Sequence, residues 1–294
     1  MRTPVTYFPI ATQRLFQQNR EQIRGKPYER YFNGDLWLHD DVLPALRTPM
    51  DPAQALTCDR KGLDALLDPG YHEVENGYCE LPDGSAYVAS RVPFPGCSGE
   101  MYEWWFWWHS VEPARYTLWY PFNHIRAMPV DRSVLTQPGL THEQRYVGNT
   151  HHVDEYIGPD LVRIAIRFVD PADLGFDTSR FAAAGIVGHA CARVALRRPN
   201  LEAVTMVHLA RRTDDGIEQR SRYWIGHDVT LTAAGRTLSL DALASTLGVK
   251  SRMAGLRVAY EQLLHDQIEF THLSTILAGL YGEFSRGHVD GGER

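Results

Sequence analysis

The stretch LLHDQIEFTHL, Leu263–Leu273, lies near the C-terminus and decides the predicted fold. It belongs to a segment from about Ser251 to Phe284 whose pattern predicts one long helix. Apolar residues surround the histidines and acids of this stretch, and a buried acid costs free energy unless it is paired or bound to a metal. We therefore expect the helix to lie against a core, where its polar side chains have partners.

One face of this helix combines His265, Glu269 and His272, which fall within a wedge of roughly 60° at the helical period. Val258 and Ile276 share the wedge, which indicates that it is buried. The spacing of His265 and Glu269 places an imidazole beside a carboxylate, as a metal would require. Two alternatives stay open. Glu269 and His272 form a competing Glu-x-x-His pair, and the same residues fit a charge pair on a solvated face.

The segments before the helix predict an α+β fold. Residues 77–92 have the pattern of a hairpin that turns at Pro82-Asp83-Gly84, and Ser98 can cap a helix that contains WWFWW. Further strands are predicted at 115–125, 143–149, 151–158, 161–170 and 230–240, a helix at 172–196, and a hairpin at 203–226. Antiparallel strands followed by one long helix predict a helix-grip fold, in which a curved sheet wraps around the C-terminal helix and encloses a cavity.

Repeated prolines divide the first part of the chain into short segments. Residues 1–75 are therefore predicted to form a small, mainly helical N-terminal unit, and residues 76–294 the helix-grip domain. The tail GHVDGGER, residues 287–294, is predicted to be frayed. The chain thus has one large core with a smaller unit in front of it.

The composition excludes several classes of protein. Of 294 residues, 44% are hydrophobic and 22% charged, and the formal net charge is −6 without a basic tract, so nucleic acid is not an expected partner. The N-terminus lacks a signal-peptide pattern, and no apolar run reaches the ~20 residues of a membrane span. We therefore expect a cytoplasmic protein. Cys58, Cys79, Cys97 and Cys191 are scattered and predict neither a disulfide framework nor a thiolate metal site.

Two further segments carry candidate site residues. In RYTLWYPFNHI, residues 115–125, a regular strand would place Tyr116 and His124 on one side. A lone histidine on an aromatic face is more often a hydrogen-bonded core residue than a ligand, so both interpretations stay open. The second segment, residues 151–155, is a polar cluster of the kind common in loops. The alternation of a strand does not decide whether Asp154 or Glu155 belongs to the site. Its members are His151, His152, Asp154 and Glu155.

The late hairpin offers one more pair. A two-residue turn at Asp215-Gly216 would place His208 directly opposite Tyr223 with both side chains on one face. Such a pair could hold a phenolic or carbonyl oxygen, or it could be a cross-strand packing contact. The WWFWW segment likewise fits either the core or one wall of a pocket for a flat aromatic ligand.

Four stretches in order, MYEWWFWWH, RYTLWYPFNH, HVDEYIG and HDQIEFTHL…LY, resemble the 2,4-diacetylphloroglucinol hydrolase and phloretin hydrolase family. The resemblance spans roughly residues 75–285. It implies a Bet v-type, START-like helix-grip domain behind a small helical unit. It also implies one catalytic Zn²⁺ per chain, held by two histidines and two glutamates.

The resemblance assigns the site residues one by one. It favours Glu155 over Asp154 and His265 over His272, so that the implied zinc ligands are His124, Glu155, His265 and Glu269. Tyr116, His208 and Tyr223 match the residues that hold the substrate, and Glu155 is the candidate base. Ala127 stands where the family has a substrate-contacting asparagine, which leaves room for a bulkier acyl group or ring substituent.

The implied function is zinc-dependent hydrolysis of the carbon–carbon bond between an acyl group and a polyhydroxylated aromatic ring. The products are a carboxylic acid and the deacylated phenol, and the expected partner is a small acylated phenol, with a second copy of the chain as a further candidate. One alternative is a helix-grip binding protein or cyclase for aromatic polyketides, which predicts no tightly bound metal. The other is a zinc hydrolase of another β-diketone or ester. Ligand type alone also leaves Mn²⁺ or Fe²⁺ open.

Overall fold

A computed structural model describes residues 1–233, 235–246 and 249–285, so the predicted fraying of residues 287–294 lies outside the described residues. The helices are α1 (Ile10–Ile23), α2 (Leu43–Arg47), α3 (Arg60–Ala65), α4 (Gly99–Val111), α5 (Pro171–Leu174), α6 (Asp241–Thr246), α7 (Val249–Ala254) and α8 (Leu256–Phe284). The strands are β1 (Arg2–Pro4), β2 (Trp37–His39), β3 (Gly77–Glu80), β4 (Ala86–Pro95), β5 (His124–Pro129), β6 (Thr150–Ile157), β7 (Asp160–Phe168), β8 (Ile186–His189), β9 (Ala192–Arg197), β10 (Asn200–Arg212), β11 (Gly216–Ala233) and β12 (Arg236–Ser239). Short 3-10 turns lie at Glu29–Tyr31, Asp40–Val42, Pro52–Gln54, Pro113–Leu118, Ser133–Leu135, Glu143–Arg145 and Thr178–Arg180.

Strands β3 to β12 of the described residues form one antiparallel sheet. Its order is β3-β4-β11-β10-β9-β7-β6-β5, with β12 paired to β11 and β8 paired to β10. The pairs β3–β4 and β10–β11 are the two predicted hairpins. A small separate sheet joins β1 and β2. The prediction of a mixed fold with a large antiparallel sheet and a long C-terminal helix is therefore confirmed.

Helix α8 packs against β3, β4 and α4. Every residue from His265 to Ser274 is buried, so the middle of the helix is enclosed on all sides. The helix begins at Leu256 and not at the predicted Ser251, because the chain turns at Gly255 between α7 and α8. A Cβ atom at Gly255 would lie 2.3 Å from the carbonyl oxygen of Ser251, so only glycine fits this turn.

None of the helices in the described part of the chain combines the length and the apolarity that a bilayer span needs.

Residues 115–125 form a tight turn, and the predicted strand is wrong. The 3-10 turn Pro113–Leu118 comes first, and β5 begins only at His124. The backbone N–H groups of Asn123 and His124 both donate to the carbonyl oxygen of Tyr120, at 3.0 and 2.9 Å. Proline suits the first position of such a turn because no donor is lost there. The aromatic side chains alternate in sequence, but most are buried because the whole turn lies inside the core.

Three other predicted elements need correction. Residues 143–149 are not a strand, because Thr141 and Gln144 form a reciprocal capping box (Gln144 N to Thr141 Oγ1 3.2 Å, Thr141 N to Gln144 Oε1 2.9 Å) that starts a 3-10 turn. Residues 172–196 are not one helix: the end of α5 and a 3-10 turn come first, and strands β8 and β9 follow, since pairing with β10 outweighs a weak helical propensity. Residues 230–240 are not a single strand; they contain the end of β11 and the paired β12.

The turn of the β10–β11 hairpin is longer than predicted. Arg212 pairs with Ile217, so residues 213–216 form the turn. The N–H of Thr213 donates to Gly216 O at 3.0 Å, and this bond closes the longer loop. His208 consequently pairs with Ser221 and not with Tyr223, which pairs with Met206. The register shift is even, so His208 and Tyr223 still share one face.

The residues before β3 contribute to the same core as the sheet and α8. Ile23, Tyr28, Leu36 and Val42 belong to the buried cluster that also contains side chains of α4 and α8. The division of the chain at residue 75 remains a prediction, but the packing of these side chains ties the first helices to the site described below.

Glu75 is held by two buried arginines. Its carboxylate accepts hydrogen bonds from Arg220 Nη2 and Nε at 2.6 and 3.1 Å and from Arg222 Nη2 at 2.7 Å. Burial alone would raise the pKa of Glu75, but the charges and hydrogen bonds of the two guanidinium groups outweigh it and hold the pKa at about 2. The contact joins the segment before β3 to strand β11.

Glu75→Ala is expected to lower the free energy of unfolding by roughly 3–5 kcal/mol, because two buried guanidinium groups lose their anion. The pKa of Glu75 is lower in the folded state than its ordinary 4.5, so this stabilisation is complete above pH 4.5 and is lost as the pH falls toward 2. Urea unfolding of the wild-type and variant chains at about pH 7 and pH 3 measures both effects. The control is Glu73→Ala, because Glu73 is exposed. If wild type and Glu75→Ala differed equally in their free energy of unfolding at both pH values, the account would be contradicted.

Candidate metal centre

His124 lies at the start of β5 with its imidazole fully buried. Its Nδ1–H donates to the backbone carbonyl of Tyr116 at 3.1 Å, and the two rings stack with centroids 3.9 Å apart. This bond fixes the tautomer in which Nε2 carries the lone pair. Nε2 is buried and has no hydrogen-bond partner among the described residues, which leaves an acceptor that a metal ion would satisfy.

The main chain at His124 is held from the N-terminal part of the protein. Asn19 of α1 is 2% exposed and donates from Nδ2 to the carbonyl oxygens of Pro121 and His124, at 2.9 and 2.8 Å. The sequence analysis did not identify Asn19, because no local pattern in α1 connects it with a turn so distant along the chain. Asn19 positions the turn that carries His124.

Glu155 faces His124 across the β5–β6 pair. Its Oε2 lies 3.5 Å from His124 Nε2 and accepts a hydrogen bond from the hydroxyl of Tyr116. Burial raises the pKa of Glu155 to about 7, against the opposing effect of the Tyr116 hydrogen bond. Asp154 points to the other face of the sheet, where Arg126 and Arg197 donate to it.

Helix α8 brings His265 and Glu269 to the same place. Glu269 Oε2 lies 3.2 Å from His124 Nε2 and 3.7 Å from His265 Nε2. Burial raises the pKa of Glu269 well above its usual range, and the nearby carboxylates of Asp266 and Glu155 add to the rise. Burial also lowers the pKa of His265 to about 3. This imidazole is therefore neutral at physiological pH and can offer a nitrogen lone pair to a metal ion.

These side chains fit a divalent metal ion. Ligand atoms of His124, Glu155 and His265 all lie within 4.8 Å of one another, and Glu269 adjoins them. Within the described residues, neither Glu155 nor Glu269 forms an ion pair with a lysine or arginine, although both are buried. Buried carboxylates without a cationic partner are costly. Two imidazoles and two carboxylates form a nitrogen–oxygen set that suits zinc, manganese or iron.

The remaining candidate histidines lie elsewhere. His272 is buried one turn further along α8, where its Nδ1 lies 3.4 Å from the carbonyl oxygen of Trp119. It is not part of the group of ligand atoms described above. His152 is exposed on the outer face of β6, whereas its neighbour His151 is buried on the inner face.

A second polar group lies around Tyr223. Its hydroxyl donates to Asp266 Oδ2 at 2.7 Å and lies 3.4 Å from His208 Nε2. His208 Nδ1 lies 2.8 Å from the hydroxyl oxygen of Ser221, and Ser90 donates to Asp266. The sequence did not predict Asp266, because it lies off the helix face of His265 and its partners are distant in the chain.

A cavity of about 430 Å³ joins the two polar groups. Among the residues around it are Tyr116, Trp119, Ala127, Glu155, His208, Tyr223, His265 and Glu269, and most of the other side chains that line it are aliphatic. The tryptophans of WWFWW are buried in the core and do not line this cavity, but Phe106 and His109 of the same helix do. An apolar cavity of this size suits an aromatic molecule.

Comparisons with known proteins give one family. The sequence profile described as "DAPG hydrolase PhiG domain" matches residues 58–282. A 2,4-diacetylphloroglucinol hydrolase of Pseudomonas protegens is 36% identical over 285 residues, which are 96% of this chain and 92% of that protein. Phloretin hydrolase of Eubacterium ramulus is 30% identical over 271 residues, which are 90% of this chain and 92% of that protein.

One comparison with solved structures is weaker. The crystal structure of Ara h 8.0201 is 11% identical and covers 61% of this chain and 97% of its own, with a TM-score of 0.28. A likeness at that score carries no argument about the fold.

Proposed function

Because the chain belongs to the 2,4-diacetylphloroglucinol hydrolase family, we propose that it hydrolyses the carbon–carbon bond between an acyl group and a polyhydroxylated aromatic ring. The relatives are named as hydrolases of 2,4-diacetylphloroglucinol and of phloretin. We further propose that α8 and the sheet form a helix-grip domain around the substrate cavity. The observation that carries the proposal is the buried cluster of His124, Glu155, His265 and Glu269 in the wall of an apolar cavity.

We propose His124, Glu155, His265 and Glu269 as the ligands of one Zn²⁺ per chain. A bound Zn²⁺ supplies Lewis-acid chemistry, which polarises a carbonyl oxygen or activates water. The unpartnered Nε2 of His124 and the two carboxylates without cations support this assignment.

The chemistry begins in the substrate. A ring with hydroxyls ortho and para to the acyl group can tautomerise, so that the acyl-bearing carbon becomes tetrahedral and the molecule becomes a 1,3-diketone. Water then attacks the acyl carbonyl, its oxygen forms the new bond to carbon, and the ring leaves with the electron pair of the broken carbon–carbon bond. A proton returns to the ring to give the phenol, and the acyl group leaves as a carboxylic acid.

The chain supplies a base and groups that hold the ring oxygens. Glu155 is the proposed base for the water proton, and Tyr116 donates to it and keeps it oriented. Tyr223 and His208 face the cavity together and are proposed to hold ring oxygens as negative charge develops there. The apolar walls exclude water and strengthen each of these interactions.

The test is product analysis with an acetylated phloroglucinol. We expect equal amounts of acetic acid and deacylated phloroglucinol, with oxygen from labelled water in the acid. Metal-loaded protein that cleaves a simple β-diketone or ester, but no acylated phenol, would overturn the proposal in favour of a different hydrolase.

Tyr116→Phe and Tyr223→Phe are expected to keep the metal and lose rate. A hydrogen bond to a charged group contributes roughly 1.5–3 kcal/mol. Losing it in the transition state corresponds to a fall in turnover of about tenfold to hundredfold. Asp266→Asn is expected to resemble Tyr223→Phe, because Asp266 accepts the hydroxyl of Tyr223. The double variant should then lose less than the sum of the two effects. Tyr260→Phe, on α8 but outside the cavity, is the control, and unchanged kinetics in both tyrosine variants would refute the roles.

A further inference from the structure

His208 of β10 has one ring nitrogen beside Tyr223 in the cavity wall and the other beside Ser221 of β11. Nε2 lies 3.4 Å from the hydroxyl oxygen of Tyr223, and Nδ1 lies 2.8 Å from Ser221 Oγ. Burial lowers the pKa of His208 to about 3, so the ring is neutral at physiological pH and only one nitrogen carries a proton. The position of this proton decides whether His208 donates a hydrogen bond to a substrate or accepts one.

Strand β11 places three polar side chains on the face that His208 contacts. Gln219, Ser221 and Tyr223 alternate along the strand, so they share one face. Ser221 is the register partner of His208. Gln219 and Ser221 are completely buried and are not among the described residues that line the cavity. They can therefore influence a bound substrate only through neighbours such as His208.

The hydrogen bonds that start at α4 leave Nδ1 without a proton. The hydroxyl of Tyr102 donates to Gln219 Oε1 at 2.8 Å, and Gln219 Nε2 donates to Ser221 Oγ at 2.8 Å. Gln219 Nε2 also lies 3.4 Å from Nδ1 of His208. Two N–H groups that face each other at this distance would repel, so Nδ1 is an acceptor, and the hydroxyl of Ser221 donates to it.

The contacts of Tyr223 lead to the same tautomer. Its hydroxyl donates to Asp266 Oδ2 at 2.7 Å, so its proton is directed away from His208. Ser90 donates to the other oxygen of Asp266 and holds the carboxylate in place. The part of Tyr223 that faces Nε2 is then an oxygen lone pair, which an unprotonated nitrogen would repel. Both sets of contacts therefore place the proton of His208 on Nε2.

We propose that Gln219 and Ser221, with Tyr102 behind them, are positioning residues that fix His208 as a hydrogen-bond donor to the substrate. This role rests on the proposed function and extends it to residues outside the cavity. The contact between Nε2 and Tyr223 is long for a hydrogen bond, so the N–H is available to a ring oxygen. Negative charge develops on that oxygen as the carbon–carbon bond breaks, and a donor that is already oriented stabilises it. The proton stays on Nε2 throughout.

Nuclear magnetic resonance of protein labelled with ¹⁵N in its histidines tests the tautomer, because protonated and unprotonated ring nitrogens differ in chemical shift. The signals that are missing from His208→Gln belong to His208. We expect the wild-type chain at physiological pH to carry the proton on Nε2. Ser221→Ala should shift the Nδ1 signal, which loses a hydrogen bond, and Gln219→Met should add a population with the proton on Nδ1, since Ser221 can then accept. A proton on Nδ1 in the wild-type chain would overturn the proposal.

Matched tyrosine variants test the end of the chain of hydrogen bonds at α4. Tyr102→Phe frees the amide of Gln219 to turn over, so it should change the signals of His208. Tyr146→Phe is the control, because Tyr146 is also completely buried but donates to the backbone carbonyl of His189, at 2.6 Å, outside this group. It should leave the signals of His208 as in the wild-type chain. Equal spectra of the two variants would overturn the role of Tyr102.

Kinetics with an acetylated phloroglucinol test the effect on turnover. Gln219→Met keeps the approximate shape of the side chain and removes its amide, so we expect kcat to fall by about tenfold while KM and metal content change little. Ser221→Ala should cause a loss of similar size. The double variant should lose much less than the product of the two factors, because both residues act through one nitrogen of His208. Wild-type kcat in Gln219→Met, or fully independent losses, would overturn the positioning role.

The spectra separate this role from the proposed function, because they require no turnover. If His208 carries its proton on Nε2 and responds to the variants as described, but no acylated phenol is cleaved, the proposed function fails and the positioning of His208 stands. If the phenol is cleaved while the signals of His208 are unchanged in Gln219→Met, the positioning role fails and the function stands. Thermal unfolding checks that each variant is folded, and the wild-type spectrum with Ser221→Ala decides if Gln219→Met is not.

Discussion

Replacing His265 or Glu269 with alanine is expected to remove the metal and the activity together. Each change removes one of the four proposed ligands from a buried cluster, and the three that remain would hold a metal ion only weakly. Because a bound metal ion would contribute several kcal/mol of charge stabilisation, we expect kcat/KM to fall by about a thousandfold or more. Elemental analysis and kinetics on the same preparations measure both quantities.

His272→Gln is the matched control for these variants. His272 is buried on the same helix and belongs to the alternative Glu-x-x-His pair, but it lies apart from the group of ligand atoms. Its variant should keep the metal. Full metal content and full turnover in both the His265 and the Glu269 variants would show that α8 does not carry the site. Loss of metal in the Glu269 and His272 variants, but not in the His265 variant, would favour the alternative pair.

A fully methylated acyl-phloroglucinol is expected to give no product. Methyl ethers cannot transfer a hydroxyl proton, so the ring carbon that bears the acyl group cannot become tetrahedral while a hydroxyl becomes a ketone. The apolar cavity can still accept the ether, because its walls are mostly aliphatic and aromatic. Free acid and deacylated ring are measured for the hydroxylated compound and for its ether at equal concentrations.

Inhibition by the ether provides the control for binding. If the ether competes with the hydroxylated compound and is not cleaved, the tautomer is required for the reaction and not for binding. Cleavage of the ether at a comparable rate would show that the tautomer mechanism is wrong, although hydrolysis itself would stand.

The helical period predicted the part of the site that lies on α8. It did not predict the part that the sheet contributes. The spacing of His265 and Glu269 predicted one face, and their side chains lie 3.7 Å apart. No period could place His124 beside Glu155, since the segment before His124 is a turn and its position depends on Asn19, far away in sequence. The family resemblance named both residues where local pattern left alternatives open.

Errors in register and in element type had different consequences. The β10–β11 turn was predicted too short, but the shift of two residues kept His208 and Tyr223 on one face. The predicted strand at 115–125 gave the wrong conformation for Tyr116, whose carbonyl and hydroxyl contact His124 and Glu155 from a 3-10 turn. Asp266 was missed because its partners, Ser90 and Tyr223, are distant in the sequence and leave no spacing that a local pattern could show.

We expect that a metal held by this cluster is required for acyl-phenol hydrolysis. The most direct measurement follows product formation and metal content on one preparation before chelation, after it, and after Zn²⁺ is added back. We expect one equivalent of metal per chain, loss of product formation with the metal, and recovery with Zn²⁺. Full product formation by protein that contains less than about a tenth of an equivalent of metal would contradict the account.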